Sequence, residues 1–413
     1  MQAIGFFLIT FLSLFILGFI VHTILNLLNQ KYIRKYNTLP DFFKDRFDED
    51  AFVKSRSYSL EHLRFDWISL AYSNILTLIF LFSGMLPWLK NFLDAHTPGP
   101  LTAGVGFFGV VLVAQSLLQM PFSLYETFRI EGKYGFNTLT WKLYISDLIK
   151  GSVLTVVIGI PILYGMLAFI AFTGSQWWLW LFLFLSFIQL FMLVIYPIWI
   201  SPWFNKFKPL EEGPLKQALL DMACRAAFGT RDIYIMDGSR RSTHSNAYFT
   251  GFGKWRRIVL YDTLVAQMSI PELTSVLAHE IGHYKKKHIY KSLILHFAGM
   301  ALMLFIFSRF LNYRPMYQSF GFSESSHAVG LYLFFSSISV FSFLISPWRN
   351  QISRKHEYEA DAFSVDLCKD KVSMQNALIK LAQKNLSNLT PHPWYSAFYY
   401  SHPTIFERIK AMV

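Results

Sequence analysis

The sequence predicts an all-α polytopic membrane protein with seven transmembrane helices and a smaller α+β region on one side of the membrane. The first observation is composition: 53% of the 413 residues are hydrophobic and only 15% are charged, whereas soluble domains average about 25% charged residues. The second is that apolar residues concentrate in seven segments, each long enough to cross about 30 Å of hydrocarbon. The third is a mostly polar stretch, residues 201–291, between the fifth and sixth segments.

The seven apolar segments hold few charged residues and are therefore predicted to be transmembrane helices. Aromatic residues make up 18% of the chain, which suits the aromatic belts of membrane proteins. Two cysteines are too few for a disulfide framework. The predicted spans are residues 4–27, 67–89, 101–123, 151–173, 177–200, 289–311 and 327–345.

Lysine and arginine are distributed unevenly on the two sides of these spans. In a chain with seven spans, four of the connecting and terminal segments lie on the same side of the membrane. These four segments hold 35 of the 38 basic residues, and only Lys90, Arg309 and Arg314 lie elsewhere. Because cytosolic loops are rich in Lys and Arg, we predict an outside N-terminus and a cytosolic C-terminus. Topology thus explains the formal charge of +12, and no nucleic-acid partner is predicted. The four segments are 28–66, 124–150, 201–291 and 346–413.

The polar stretch carries the predicted α+β elements. Residues 232–236, 246–249 and 258–261 are rich in β-branched and aromatic residues and are predicted to be strands. A helix is predicted to begin near Pro271, because proline is favoured in a first helical turn. A further helix is predicted over residues 350–369. The predicted domains are 1–200 (five transmembrane helices), 201–291 (soluble catalytic part), 289–345 (helices six and seven) and 346–413 (C-terminal catalytic segment).

The helix near Pro271 contains an HExxH motif, residues 279–283. Two histidines four residues apart face the same side of a helix and can hold one Zn²⁺, so His279 and His283 are predicted metal ligands. Glu280 then lies beside the open position of the metal and can act as general base. The small residue Gly282 allows another backbone to approach closely. The motif lies on the predicted cytosolic side.

A site with two histidine ligands needs a third protein ligand. Residues 353–361 offer Glu357 or Glu359, and spacing alone leaves both open. Asp361 is four residues after Glu357, hence on the same helical face, where it could orient a ligand imidazole. The alternative for Glu357 is a solvated side chain paired with Arg354.

Other residues near the motif are not predicted to take part in metal binding. His288 is predicted to be interfacial rather than a ligand, and His356 to be structural. Residues 285–287 are three lysines, which are predicted to bind lipid headgroups or to anchor the helix. His402 is ambiguous on composition alone.

Blocks of sequence along most of the chain resemble the type-1 CAAX prenyl proteases, the Ste-type integral-membrane zinc metalloendopeptidases (gluzincins). The many separate blocks, in order, make the resemblance specific. They are IEGKYGFN at 130–137, FNKF at 204–207, DGS at 237–239, SNAYF at 245–249, Asn350, SR at 353–354, Glu357, ADAF at 360–363, YSHP at 400–403 and ER at 407–408.

The resemblance implies a role for each candidate side chain. Glu357, at the family's distance after the SR pair, is implied as the third ligand of a single Zn²⁺. Asp361 corresponds to a second acidic residue that donates a proton or orients a ligand. His402 and Arg408 correspond to residues that line or brace the cleft, and His402 is also assigned a catalytic role, in which it steadies the ligands or the tetrahedral oxyanion.

The resemblance also implies the architecture and the manner of substrate binding. Seven helices would enclose a hollow chamber, with a zincin-like α+β catalytic domain at its cytosolic end. Asn246, Ala247 and Tyr248 correspond to an edge strand that holds the substrate backbone, which is a known mode of peptide recognition. The short link between spans six and seven is typical of a bacterial inner-membrane homologue rather than a protein of the endoplasmic reticulum.

The predicted function is that of a zinc-dependent integral-membrane endopeptidase. Such an enzyme hydrolyses peptide bonds and is of the type that trims C-terminal CAAX tripeptides from prenylated proteins or peptides. One alternative is a quality-control protease of broad specificity that needs no prenyl group. Another is a membrane binding protein with structural zinc. Structural zinc normally has four protein ligands, and the lack of cysteine near the motif disfavours that alternative.

Overall fold

A computed structural model describes residues 2–229, 233–250 and 257–412 and confirms the predicted fold class. Six helices in this part are long and apolar enough to cross a membrane, and a bent pair of helices, with an angle of 48° between its halves, makes a seventh candidate span. The spanning helices are Gly5–Lys35, Glu49–Phe82, Pro100–Tyr134, Trp141–Phe172, Gly174–Phe204, His288–Phe310 and the pair His327–Ile338 with Val340–Cys368.

The second span ends earlier than the sequence predicts. Its helix ends at Phe82 rather than near residue 89, and Gly84 takes a left-handed conformation with φ of 80°. Only glycine adopts that conformation at little cost, so the chain turns there and a separate helix, Met85–His96, follows. The apolar composition continues through the turn, which is why hydropathy alone joined the two helices.

The spanning helices expose large apolar side chains on the outside of the bundle. Examples are Val157, Phe187 and Ile294, each between 63% and 70% exposed. A contiguous apolar surface of this kind is rare on proteins that function in water. Its presence on the spanning helices fits a lipid environment.

Eight shorter α-helices and two 3₁₀-helices, Asp41–Phe43 and Gly238–Arg240, complete the helical part of the described chain. The α-helices are Met85–His96, Pro214–Arg225, Asp262–Gln267, Ile270–Lys285, Arg314–Ser319, Lys371–Lys384, Pro393–Tyr399 and Ile405–Ala411. We call Ile270–Lys285 the motif helix and His327–Cys368, which includes the 48° bend, the long helix. The predicted helix over residues 350–369 is confirmed as the C-terminal part of the long helix.

A small mixed sheet packs beside the motif helix, and it confirms the three predicted strands. Its order is β1-β2-β4-β3; β2 and β4 are parallel and the other pairs are antiparallel. Residue 232, predicted to begin β2, lies outside the described residues. Strand β1 was not predicted, because three residues that include a proline give no alternating pattern. The strands are β1 (Phe207–Pro209), β2 (Ile233–Met236), β3 (Ala247–Thr250) and β4 (Arg257–Tyr261).

The motif helix is fixed at both ends. At its start Ser269 and Glu272 form a capping box, in which each side chain bonds the other residue's backbone N–H. Its apolar face, which includes Leu277 and Ile281, is fully buried. Beyond its end, Lys287 has a φ of 59° and separates it from the spanning helix that begins at His288.

Candidate metal centre and active site

Three side chains from two helices converge on one point. His279, His283 and Glu357 each offer a ligand atom, and these atoms all lie within 4.8 Å of one another. The two Nε2 atoms of the histidines are 3.2 Å apart. The carboxylate oxygens of Glu357 lie 3.3 Å from Nε2 of His283 and 3.5 Å from Nε2 of His279. The motif helix and the long helix thus supply two nitrogen atoms and one carboxylate.

Close helix packing makes this convergence possible. A Cβ atom on Gly282 would lie 3.1 Å from the Cα of Ala360 and 3.2 Å from its carbonyl oxygen, which is tighter than an ordinary van der Waals contact. The glycine therefore lets the two backbones meet directly. It lies next to His283, and Ala360 lies between Glu357 and Asp361, so the contact sets the distance between the groups on the two helices.

The hydrogen-bond partners of the two imidazoles leave both Nε2 atoms available to bind a cation. Nδ1 of His279 is 2.8 Å from the carboxylate of Asp361, and Nδ1 of His283 is 3.1 Å from Nδ1 of His288. When each Nδ1 carries its proton, each Nε2 presents a lone pair. Two lone pairs and the Glu357 carboxylate then face each other in a buried space, which a divalent cation would stabilise.

A proton can take the place of a cation at His279. Burial lowers the pKa of this imidazole, but hydrogen bonds to Asp361 and Glu357 outweigh burial and raise the pKa to about 9. The same electrostatic environment that holds a proton also favours a metal ion, and binding of the metal must release that proton.

Asp361 and Arg408 form a buried ion pair behind His279. The guanidinium contacts both carboxylate oxygens, at 2.8 Å and 2.5 Å. It also lies 3.4 Å from Nδ1 of His279 and 3.5 Å from the carboxylate of Glu357. Arg408 was predicted to contact substrate, but the structure surrounds it with residues of the metal centre. A direct contact with substrate stays a prediction.

Glu280 lies on the wall of a cavity of about 510 Å³ that also contains His283, Tyr248 and Phe249. Burial raises the pKa of its carboxyl group. A raised pKa makes the Glu280 carboxylate a stronger base, and the cavity that it borders also reaches His283.

The edge strand borders the same cavity. Strand β3 ends the sheet among the described residues, so one side of its backbone faces away from the other strands. Asn246 is exposed, Ala247 is buried and Tyr248 is half-buried. The N–H of Ala247 donates to Oδ1 of Asn246 over 2.8 Å. The structure therefore brings Tyr248 close to Glu280 but places Asn246 at the start of the strand.

The loop after residue 400 also reaches the metal centre. Nδ1 of His402 lies 2.9 Å from Oε2 of Glu357, although its side chain is 65% exposed. No described donor meets Oε2 with full hydrogen-bond geometry, and this oxygen is buried. A cation would satisfy it, which again fits the three residues as ligands.

The structure buries His288, so the predicted interfacial position was wrong, although the residue belongs to no described three-residue metal group, as predicted. The residue is 3% exposed, and its ring stacks on His356 with 4.0 Å between centroids. Its two nitrogens contact His283 and Glu359. Its spacing from the motif gave no signal of this, because the contact depends on the sharp break at Lys287 between the two helices.

The alternative pairing of Glu357 with Arg354 is also wrong. Arg354 instead contacts Glu407 at 2.7 Å, and Glu357 is 3% exposed. Lys285, predicted to face lipid or anchor the helix, donates to the carbonyl oxygen of Ala227 over 3.0 Å. Lipid contacts of the three lysines stay a prediction.

The IEGKYGFN block connects the spanning helices to the start of the edge strand. The carboxylate of Glu131 accepts hydrogen bonds from Tyr58, at 2.6 Å, and contacts the rings of His62 and His244 at 3.0 Å and 3.2 Å. His244 stacks on Phe136 with 3.9 Å between centroids. Because His244 lies two residues before Asn246, this cluster fixes the approach of the chain to strand β3.

The fold and the site together define an integral-membrane metallopeptidase, and comparisons with known proteins agree. Residues 29–206 match the family model described as CAAX prenyl protease N-terminal, five membrane helices, and residues 209–413 match peptidase family M48. The chain belongs to peptidase family M48.

Named relatives match over nearly their whole length. The CAAX prenyl protease 1 homolog of Oryza sativa subsp. japonica is 36% identical over 97% of this chain and 96% of the relative. CAAX prenyl protease 1 of Saccharomyces cerevisiae is 37% identical over 91% of this chain and 88% of the relative. The crystal structure of S. mikatae Ste24p has a TM-score of 0.92 and 34% identity and covers 97% of both chains.

Proposed function

We propose that this protein is a zinc-dependent membrane endopeptidase that removes C-terminal tripeptides from prenylated CAAX proteins or peptides. The observation that carries the proposal is the buried group of His279, His283 and Glu357 beside a cavity that Glu280 and the edge strand border. The curated relatives named CAAX prenyl protease supply the substrate class. Two nitrogens and one carboxylate are the donor set of catalytic zinc in several peptidases.

In this proposal each residue has a separate task. His279, His283 and Glu357 hold the ion, and zinc, when bound, polarises the scissile carbonyl and acidifies water. Glu280 accepts a proton from the attacking water and delivers it to the leaving amine. Asp361 keeps the proton of His279 on Nδ1, and His402 is placed to stabilise charge that develops beside Glu357.

The edge strand is proposed to bind the substrate backbone. A peptide that adds to β3 gains main-chain hydrogen bonds, and its side chains alternate between the cavity and the opposite face. Asn246, Ala247 and Tyr248 would contact this peptide, and Arg408 would brace the cleft from behind Asp361. Main-chain recognition depends little on peptide sequence, which also favours the second candidate, a quality-control protease that needs no prenyl group.

The active site is proposed to face the cytosol, with the N-terminus on the other side of the membrane. The support is the presence of 35 of the 38 basic residues in segments on one side of seven spans, since only Lys90, Arg309 and Arg314 lie elsewhere. The short link between the last two spans supports a bacterial inner membrane. Membrane lipids would contact the exposed apolar helices.

The function is tested with purified protein in detergent and matched CAAX peptides with and without an S-farnesyl group. We expect cleavage of the farnesylated peptide, loss of cleavage with a chelator, and recovery on addition of zinc. Equal cleavage of both peptides would favour the quality-control function. Failure to cut any peptide by protein that contains its zinc would contradict a protease function.

The general base is tested with Glu280→Gln, which keeps the shape of the side chain but removes its basicity. We expect a fall in kcat of about 10² to 10⁴-fold and normal zinc content by elemental analysis. Full turnover by zinc-loaded Glu280→Gln would contradict the assignment.

A further inference from the structure

His288 lies at the junction of three helices, outside the group of three ligands. It begins the sixth spanning helix, directly after the break at Lys287, and only 3% of its surface is exposed. A buried imidazole needs partners for both ring nitrogens. Here Nδ1 lies 3.1 Å from Nδ1 of His283 on the motif helix, and Nε2 lies 3.0 Å from a carboxylate oxygen of Glu359 on the long helix.

The chemistry of these contacts fixes where each proton lies. An ionised Glu359 can only accept, so Nε2 of His288 must donate to it. Neutral His288 then has a lone pair on Nδ1, which accepts the Nδ1 proton of His283. His283 is left with its lone pair on Nε2, the atom that points toward His279 and Glu357. A doubly protonated His288 would reverse this order and put a proton on Nε2 of His283.

We infer that His288 and Glu359 are positioning residues that hold His283 in the tautomer and ring orientation needed to bind metal. The inference rests on the proposed metal site and adds the support of its second histidine. It also assigns a role to Glu359, which sequence spacing left as a rival to Glu357 for the ligand position. Glu359 acts through His288, and its carboxylate belongs to no described three-residue metal group.

The surroundings hold this chain of hydrogen bonds rigid. The ring of His356 stacks on His288 with an interplanar angle of 11°, so His288 cannot rotate without losing that contact. Nζ of Lys291 lies 4.0 Å from the carboxylate of Glu359, which favours its ionised form. Because the three bonded residues come from three helices, the chain also ties the start of the sixth span to the metal centre.

The inference is tested on full-length, zinc-loaded protein in detergent by measuring zinc transfer to a chelator. His288→Phe fills the space but removes the acceptor for His283, and Glu359→Ala removes the far end of the chain. Loss of such supporting partners typically lowers metal affinity about 10- to 100-fold. We expect the full effect in His288→Phe, a smaller one in Glu359→Ala, and a partial rescue in Glu359→Gln, whose amide oxygen can still accept.

His356→Phe is the matched control, because a phenylalanine ring can keep the stacking on His288 and no described hydrogen bond joins residue 356 to His283. We expect zinc retention equal to wild type in this variant. As a second readout, the visible spectrum of the Co²⁺-substituted protein should change in His288→Phe and stay unchanged in His356→Phe. Thermal unfolding of the metal-free variants shows whether a variant has lost stability in general. A variant that binds zinc weakly but unfolds like wild type has lost only the orientation of the ligand.

Two failures are distinguishable. If His288→Phe folds and retains zinc like wild type, the positioning role is overturned while the metal site stands. If His279→Ala retains zinc, the proposed metal site is itself overturned. If His288→Phe does not fold, Glu359→Ala and Glu359→Gln decide, and equal zinc retention in these two and wild type overturns the inference.

Discussion

The two histidines of the metal centre are supported in different ways. His279 rests on a buried ion pair, in which Asp361 and Arg408 are 2% and 9% exposed. His283 rests on a second histidine, His288, whose carboxylate partner has a side chain that is 30% exposed. The support of His279 is charged and buried. The support of His283 consists of the neutral, buried His288 and the partly exposed carboxylate of Glu359.

This difference predicts how substitutions in each support affect the protein. Removing one partner of a buried ion pair leaves an uncompensated charge in a low-dielectric space, which is strongly destabilising. Removing a partly exposed carboxylate lets water take its place. We therefore expect the His279 side to control folding as well as metal binding, and the His283 side to control mainly metal binding.

The largest effect is expected at Glu357, which faces both histidines. Glu357→Ala should abolish stoichiometric zinc binding, because it removes the carboxylate ligand that lies beside both histidines. Glu359→Ala should still bind zinc when the metal is in excess. Elemental analysis after desalting measures both variants, and equal metal content would remove the distinction between ligand and support.

The next effect is expected at Asp361. Asp361→Ala removes the nearer carboxylate from the buried Arg408, which among the described carboxylates keeps only Glu357 at 3.5 Å, and should lower the free energy of unfolding by about 3–5 kcal/mol. Glu359→Ala should lower it by less than about 1 kcal/mol. Chemical unfolding in detergent compares the two, and similar losses would contradict the contrast between the supports.

A paired change sharpens the same contrast. Asp361→Leu with Arg408→Met removes both charges of the pair and should recover much of the stability lost in Asp361→Ala, since neither of the two stays buried without the other. Zinc retention should not recover, because His279 still lacks its acceptor. Recovery of both properties would mean that Asp361 acts only on folding.

A smaller effect is expected at Gly282, which sets the distance between the two helices. Gly282→Ala puts a methyl group 3.1 Å from the backbone of Ala360 and should cost about 1–3 kcal/mol. It should weaken zinc retention through both histidines at once. Gly299→Ala is the control, because nothing lies within 4 Å of the added methyl group; a similar loss there would contradict the packing argument.

The smallest effect is expected at the start of the motif helix. Glu272→Gln should cost about 1 kcal/mol and leave zinc retention unchanged, because the capping box supports the helix rather than a ligand. Although burial raises the pKa of Glu272, bonds from Lys380 and Ser269 outweigh it and hold the pKa below its ordinary value of 4.5.

The sign of the pH dependence follows from that lowered pKa. The stabilisation by Glu272 is present above about pH 4.5 and is lost as the pH falls through the lower folded-state pKa. Unfolding measured at pH 7 and at acidic pH should therefore converge for Glu272→Gln and wild type. A constant difference between them would contradict the assignment.

Local periodicity explains what could be predicted. Four-residue spacing places His279 beside His283 and Glu357 beside Asp361 on their own helices, and the structure has both pairs on one face. Apolar length predicted the spanning helices, and β-branched content predicted three of the four strands. The resemblance to a known family then chose Glu357 over Glu359.

Other features depend on backbone turns that composition does not reveal. The left-handed turn at Gly84 ends the second span early, and the break at Lys287 turns His288 back toward His283. Both lie in segments whose hydropathy or charge gave no sign of a break in the helix. The interfacial role predicted for His288 failed for that reason.

By itself the sequence determined the class of the molecule and the identity of its chemistry: a membrane-embedded helical chain with an HExxH helix and an acidic pair downstream. Only the tertiary structure decided which partner each imidazole received, because Asp361 and Glu359 lie on a helix more than 70 residues beyond the motif. Helical spacing fixes neighbours within one helix, whereas the backbone contact at Gly282 fixes the neighbours between two.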